Sequence, residues 1–291
     1  MCDCTLNSYF VTICFLLIKS YKVMAFRFLI LCLTILFAAP AHAATPELTA
    51  GQLLPQTLSV IFSGKEQLHY EVNWSGGVKI GDVHLEIVPA QSRPDAHNLI
   101  AKVISTGAIQ TIYPVDDYFR CLVSGPLKLP RLYQTKQKEG PKQKTITRLT
   151  RYDQKAGVLR YKKNQRKEKQ YLARGYNEMS AFIITRALKL TEDSGIVVPT
   201  IVSRQRHPVT MQLLGREKRR SLFGEVPTLK VRPVAQIKGV YEKGDKATLW
   251  LTDNVCRIPV EIEAHLTLGV LTARLTSYSN PACPDPGNKN P

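Results

Sequence analysis

The side chains able to do chemistry are few, and their spacing does not assemble a reaction centre. No G-x-S-x-G elbow, H-E-x-x-H helix, Walker loop or paired C-x-x-C occurs after residue 43, so the usual ways of activating a serine, a zinc-bound water or a phosphate are missing. Asp116 with Asp117, and Asp253 with Glu261, are the two candidate acid pairs. Neighbouring strand residues point to opposite faces, so Asp116 and Asp117 are not expected to share a proton. Asp253-Asn254 has the composition of a turn, and Arg257 is placed to pair with Asp253 or Glu261. A glycosidase needs two carboxylates converging across a cleft, which this pattern does not indicate. His69, His84, His97, His207 and His265 are scattered along the chain. The expectation is a non-enzyme without metal or cofactor.

Charge is the stronger signal. The formal net charge is +17. Between Lys128 and Arg174 there are 16 Lys and Arg against three acids, Glu139, Asp153 and Glu168, a local excess of +13. Lys162, Lys163, Arg166, Lys167 and Lys169 are its densest part, with Tyr161 and Tyr171 at the ends. Such a concentration creates a long-range field and makes these five residues the candidate anion-binding face. Lysines of this kind also keep a sheet edge from pairing with another chain. Both readings stand at this level.

The first 43 residues read as a targeting segment. From Met24, Arg27 supplies a positive start, Phe28 to Ala39 an apolar core, and Ala41-His42-Ala43 a site for cleavage before Ala44. The apolar core is shorter than the roughly 20 residues a membrane span needs. The expectation is translation from Met24 and a periplasmic mature protein. The alternative is an uncleaved N-terminal segment, including the apolar run Tyr9 to Ile18, anchoring the chain to the inner membrane. Cys2, Cys4, Cys14 and Cys32 belong to this segment, so Cys2-Asp3-Cys4 is not read as a metal site. Of the remaining three cysteines, Cys256 and Cys283 flank the last expected hairpin and are the candidate disulfide, leaving Cys121 as a buried thiol.

The elements that must position these groups are mostly strands. Leu68, Tyr70, Val72 and Trp74 share one parity, and Gln67, His69, Glu71 and Asn73 the other, so one face meets a core and one meets water. Similar runs recur to Tyr278 with turn residues between them. They predict a mainly β fold, one antiparallel curved sheet, half-barrel or barrel. A single helix is expected over about 177–190, capped by Asn177 and apolar on most sides, hence buried inside the sheet. The expected layout is an extended leader over 44–61, one β-rich domain over 62–279 and a disordered tail over 280–291. Tyr70, Val72, Trp74, Phe182, Ile183 and Trp250 are the candidate apolar interior.

Several runs together resemble a known family. Phe62 to Trp74 followed by Lys79-Ile80-Gly81, then Asp117-Tyr118-Phe119-Arg120, Asn177 to Arg186, Leu249 to Asp253 and Arg257 to Glu261 are similar, in order and spacing, to the landmarks of the bacterial DUF3108 family. Asn177 and Asn254 depart from that pattern, each standing where an aspartate is expected. The resemblance spans roughly Phe62 to Tyr278. It implies an exported, β-rich envelope protein and supplies no catalytic residues. It also implies an analogy with lipoprotein carriers, whose half-barrel wraps a helix beside an acyl-binding cavity, a warrant from fold alone.

The functional expectation is therefore a non-enzymatic envelope protein that binds an amphipathic or anionic component: lipid, lipopolysaccharide or acidic polysaccharide. The alternative is an assembly scaffold that binds another envelope protein through a sheet edge or the basic face, and the third class is a hydrolase of glycan or lipid. Nucleic acid is not expected as a partner outside the cytoplasm.

Overall fold

In a computed structural model the described residues run from Glu47 to Cys283, apart from 92, 203, 236–245 and 267–268. The expected targeting segment and residues 284–291 lie outside them. The described residues form fourteen strands, most of which follow the alternation seen in the sequence. They are β1 (Glu66–Trp74), β2 (Val78–Ala90), β3 (Arg93–Ser105), β4 (Asp116–Ser124), β5 (Leu129–Glu139), β6 (Lys144–Asp153), β7 (Val158–Lys163), β8 (Arg166–Tyr171), β9 (Ile196–Val202), β10 (Gln205–Ser221), β11 (Gly224–Ala235), β12 (Lys246–Thr252), β13 (Pro259–Leu266) and β14 (Gly269–Ser279). A 3-10 turn at Ala50–Gln52 and three short α-helices accompany them: α1 (Pro55–Ile61), α2 (Ala108–Ile112) and α3 (Glu178–Thr185).

All strands join one antiparallel, curved and unclosed sheet. β1 and β14 lie side by side in its middle, β2 to β8 run in order to one edge, and β13 back to β9 run to the other. The link from β8 to β9 must therefore cross from edge to edge, and it carries α3 through the concavity. At the β9 edge, Tyr176 donates its N–H to Pro199 O at 2.8 Å and accepts from Ile201 N–H at 2.6 Å. Leu48 N–H adds a bond to Val197 O at 2.8 Å. These contacts occupy backbone groups that would otherwise be open for pairing.

The helix lies across the strands. Asn177 caps it, accepting from Ser180 N–H at 2.8 Å, beside Cys121 on β4. Arg186, just past its last turn, reaches Glu66 on β1. Eight residues of helix span about 12 Å, and the three strand spacings from β4 to β1 about 14 Å. The fit explains the length of α3. Met179, Ala181, Ile183 and Ile184 are buried in the main core with Leu68, Tyr70, Ile87, Leu99, Phe119 and Val198.

The lower end of the sheet, where β1 begins and β14 ends, is fastened by a buried ion pair and a disulfide. Arg186 meets both carboxylate oxygens of Glu66, at 2.5 and 2.8 Å, with both side chains fully buried. Its remaining donors go to Arg257 O at 2.9 Å and Cys256 O at 3.1 Å. Cys256 is joined to Cys283. Cys121 is free and buried, and burial pushes its thiol up to about 12.

Three boundaries differ from the expectation. The leader expected to be extended over 44–61 contains α1, which starts with Pro55 at its first position, a proline placement that favours helix. The tail expected from 280 begins later, because Asn280 is buried against Val60 O and Cys283 is held by its disulfide. The helix ends at Thr185 rather than near 190. The run after it turns away to set Leu188 against Leu53, where the two form an isolated bridge. Among the described residues no helix is long and apolar enough to cross a membrane.

Candidate functional site

The concave side of β4 to β8 carries the candidate site, and cross-strand register builds it. Directly paired residues share a face. One transverse row runs Leu68, Leu85, Ala101, Phe119, Thr135, Arg148, Lys163, Arg166 from β1 to β8. Its first half is apolar and buried; its second half is polar, then cationic, and increasingly open to solvent. At its far end the Arg166 side chain is 80% exposed. The row below runs Ile87, Leu99, Cys121, Tyr133, Thr150, Tyr161, Glu168. The concavity thus changes from greasy to charged across its width.

Two acids modulate the charged half. Glu168 is paired with Arg166 at 2.8 Å and with Arg204, which reaches over from the β9–β10 turn. Arg204 also lies 5.1 Å from the centroid of the Tyr161 ring. The other acid is Glu178, the first residue of α3. Tyr133 Oη donates to it at 3.4 Å, and burial raises its pKa and so favours its neutral form. Phe182, one helical turn on from Glu178, is half-buried. Tyr133 and Tyr152 are both held far toward the neutral phenol by burial and the adjacent Glu178.

A third cluster sits near the upper end of the concavity, where β4 begins and β5 ends. Gln137 Nε2 donates to Asp117 Oδ2 at 3.0 Å and to Glu139 Oε1 at 2.8 Å, while its Oε1 accepts from Arg148. Asp117 also accepts Lys138 N–H at 2.9 Å. Burial, and then the Glu139 carboxyl beside it, push Asp117 up to about 7. Asp117 therefore has an acidic partner, but it is Glu139 across the strand pair. Asp116, as expected from alternation, faces away and is exposed.

The five cations expected to form one anion-binding face are divided between two. β7 and β8 form a hairpin in which Lys163 pairs with Arg166 and Lys162 with Lys167. Lys163 and Arg166 fall on the concave row. Lys162 and Lys167 fall on the convex face with Lys169, which stands beside Arg160 and, beyond it, Arg151. Period-two alternation splits any run of adjacent cations in this way.

The expected apolar interior also divides. Tyr70 and Ile183 are in the main core, with Tyr70 Oη donating to Pro259 O at 2.9 Å. Val72 belongs to a smaller cluster near the upper end with Ile80, Ala264 and Leu271, against which Trp74 packs. Trp250 is buried in the main core cluster as expected, but it enters from the side opposite Tyr70, since its register neighbours Glu261 and Arg274 lie on the convex face. There Arg219 lies 4.0 Å from its ring centroid and its Nε1–H donates to Glu217 at 2.5 Å. Leu249 and Leu251 take the inward positions on either side, leaving Trp250 the outward one. Asp253 pairs with Arg216 at 3.2 Å and Glu261 with Arg219 and Arg274, so Arg257 is not the salt-bridge partner of either acid. The histidines include one adjacent pair, His69 and His84, stacked at 4.0 Å on the convex face with Asp82 at 3.1 Å from His69. Among the described residues no cluster of three or more His, Cys, Asp or Glu is placed to hold a metal ion.

Glu178, Tyr133, Arg148 and the Asp117–Glu139 pair were not singled out from the sequence. Carrying the parity count across each turn would have placed Arg148, Lys163 and Arg166 in line, since each turn here joins neighbouring strands.

The sequence profile described as "Protein of unknown function (DUF3108)" matches residues 69–276. The chain belongs to the DUF3108 family. Its family match therefore covers the concave row from Leu85 to Arg166, α3 and most of the sheet. A solved structure from Brucella abortus, described as a "Beta-barrel-like Protein of Domain of Unknown Function DUF1849", is similar in fold. It is 9% identical, with a TM-score of 0.52, over 75% of this chain and 98% of that one. No curated protein sequence matches the chain. Neither the family description nor the fold neighbour indicates a catalytic activity.

Proposed function

We propose that this DUF3108 protein is a non-enzymatic, exported cell-envelope protein that holds one amphipathic anion, an acyl chain bearing a negatively charged head, on the concave face of its half-barrel. The observation that carries the reading is the graded row from Leu85, Ala101 and Phe119 to Arg148, Lys163 and Arg166. Half-buried Ile146, Tyr161 and Phe182 leave apolar surface accessible near the cations. An acyl chain would cover that surface while the head exchanges water for charge-assisted hydrogen bonds. Membrane phospholipids and lipopolysaccharide both present this chemistry. The export expectation rests on the sequence features before Ala44.

The test is equilibrium binding of a fluorescent long-chain fatty acid to the purified protein, compared with Lys163→Glu/Arg166→Glu. Reversing two exposed cations leaves the core intact and should weaken binding at least tenfold. Absence of saturable binding by the unaltered protein, or equal binding by the variant, contradicts the proposal.

A second reading has its own observation. The convex cations Arg151, Arg160 and Lys169, with Lys162 and Lys167, would suit docking of an acidic envelope protein. Crosslinking in cells distinguishes the two: a protein adduct at Lys162 or Lys167 favours the scaffold, and a co-purifying lipid the carrier.

A further inference from the structure

The upper end of the sheet has a rim that the ligand reading does not use. Val78 at the start of β2 is 60% exposed and Ile112 at the end of α2 is 69% exposed, the two most exposed aliphatic side chains among the described residues. Lone exposed aliphatics need no explanation, but these two belong to one connected edge. Thr106, which leads into α2, donates its N–H to Ile80 O at 3.0 Å, tying α2 to the start of β2. On the other side of α2, Pro114 O accepts from Gly140 N–H at 2.9 Å and from Gln143 Nε2 at 3.3 Å. Those bonds set the β5–β6 turn against the segment after Ile112.

That turn brings cations. Lys142 and Lys144 are both exposed beside it, and the next turn along, between β7 and β8, presents Lys163 and Arg166. Asn164 in that turn donates its N–H to Thr147 O at 3.1 Å, which fixes it to β6. The rim therefore runs from two protruding aliphatic side chains to three exposed lysines, Lys142, Lys144 and Lys163. It is also the end at which the cationic part of the concavity opens. Asp116 is an exposed acid near this edge. Lys79 is neutralised locally by Glu71 at 3.4 Å and Asp82 at 3.0 Å, and Arg166 by Glu168 at 2.8 Å, so neither is counted among the rim cations.

We infer that this rim is a membrane-docking surface whose partner is an anionic phospholipid bilayer. Aliphatic side chains would enter the headgroup boundary while the lysines approach phosphates, the combination by which peripheral proteins hold a membrane. Charge complementarity and the two protruding aliphatics select a bilayer, because a flat acidic protein or polysaccharide offers no apolar layer for Val78 and Ile112. The inference deepens the ligand reading, since docking there would bring the mouth of the concavity to the lipid source. The contact itself does not require the ligand.

The experiment is co-sedimentation of the purified protein with phosphatidylcholine vesicles, with and without phosphatidylglycerol. Binding is expected only with the anionic lipid and to fall steeply with salt. Val78→Ser/Ile112→Ser and Lys142→Glu/Lys144→Glu, all exposed positions, should each reduce it at least tenfold, whereas the convex pair Lys167→Glu/Lys169→Glu should change it less than threefold. Rim variants that bind as well as the unaltered protein, dependence on the convex pair instead, or no vesicle binding at all overturns the inference. Fatty-acid binding in the absence of vesicles, measured on the same rim variants, should be unchanged. That arm separates failure of the rim from failure of the ligand reading.

Discussion

Replacing Arg186 by methionine keeps an unbranched apolar stem, though a shorter one, and removes the charge from the lower end of the sheet. The consequence follows from what Arg186 holds. Its guanidinium is fully buried and bonds both oxygens of an equally buried Glu66, and it also satisfies the carbonyls of Arg257 and Cys256. Removing one partner of a buried pair costs about 3–5 kcal/mol, because the other charge stays in a low-dielectric site. Two effects act in opposite directions. Tyr278 Oη at 3.0 Å and Asn280 Nδ2 at 3.3 Å still donate to Glu66, which lowers the cost. Each stranded carbonyl adds about 1 kcal/mol. The expected loss for Arg186→Met is about 4 kcal/mol, read from urea unfolding under oxidising conditions. Glu66→Gln/Arg186→Met leaves no stranded charge and should recover at least about 1–2 kcal/mol of it. A loss below about 1 kcal/mol for the single variant, or a double variant no better than the single, would refute the reasoning. Because Arg186 directly follows α3, the same variant should also loosen the helix, which hydrogen exchange along 178–185 would register.

Three further outcomes are expected. Asp117 has a carboxyl raised by burial and by Glu139, so the native state binds the proton more tightly than the unfolded chain does. Its contribution is fully present below about pH 4 and lost as pH rises through about 7; Asp117→Asn should flatten that part of the pH–stability curve, and parallel curves would contradict it. Cys256→Ser/Cys283→Ser opens a loop of sequence separation 27 and should cost about 3.5 kcal/mol on the chain-entropy account. Reductant should reproduce that loss in the unaltered protein, and it should leave the variant unchanged. Cys121 should resist thiol reagents in the native state, since its thiol is buried and pushed up to about 12; labelling at the same rate as in the urea-unfolded chain would contradict its burial.

The fold was legible wherever one face of a strand is wet. β1 shows this best: Leu68, Tyr70 and Val72 are buried, and Gln67 is exposed. It was less legible where both faces are covered. β9 is buried at every position, so alternation gives no signal there, as for any strand packed on both sides. α1 was overlooked although Pro55 begins it, because a seven-residue helix shows too little periodicity to stand out beside two prolines. The site was only half legible. The sequence located the cations, but a cation's face depends on register carried across turns, and that separated Lys163 and Arg166 from Lys162, Lys167 and Lys169. Trp250 is buried as its apolar run suggests, but the face it takes was not legible. An aromatic in an apolar run invites an inward assignment, yet Arg219, Lys230 and Glu217 bury it from the convex side.

The central claim is that the concavity holds an anionic, acyl-bearing molecule. Native mass spectrometry of the protein, purified without delipidation, tests it most directly. A single adduct whose mass and fragmentation identify an anionic lipid, and which is lost from Lys163→Glu/Arg166→Glu, is the expected result. A bare polypeptide mass from cells rich in such lipids, or an adduct retained equally by the variant, would contradict it.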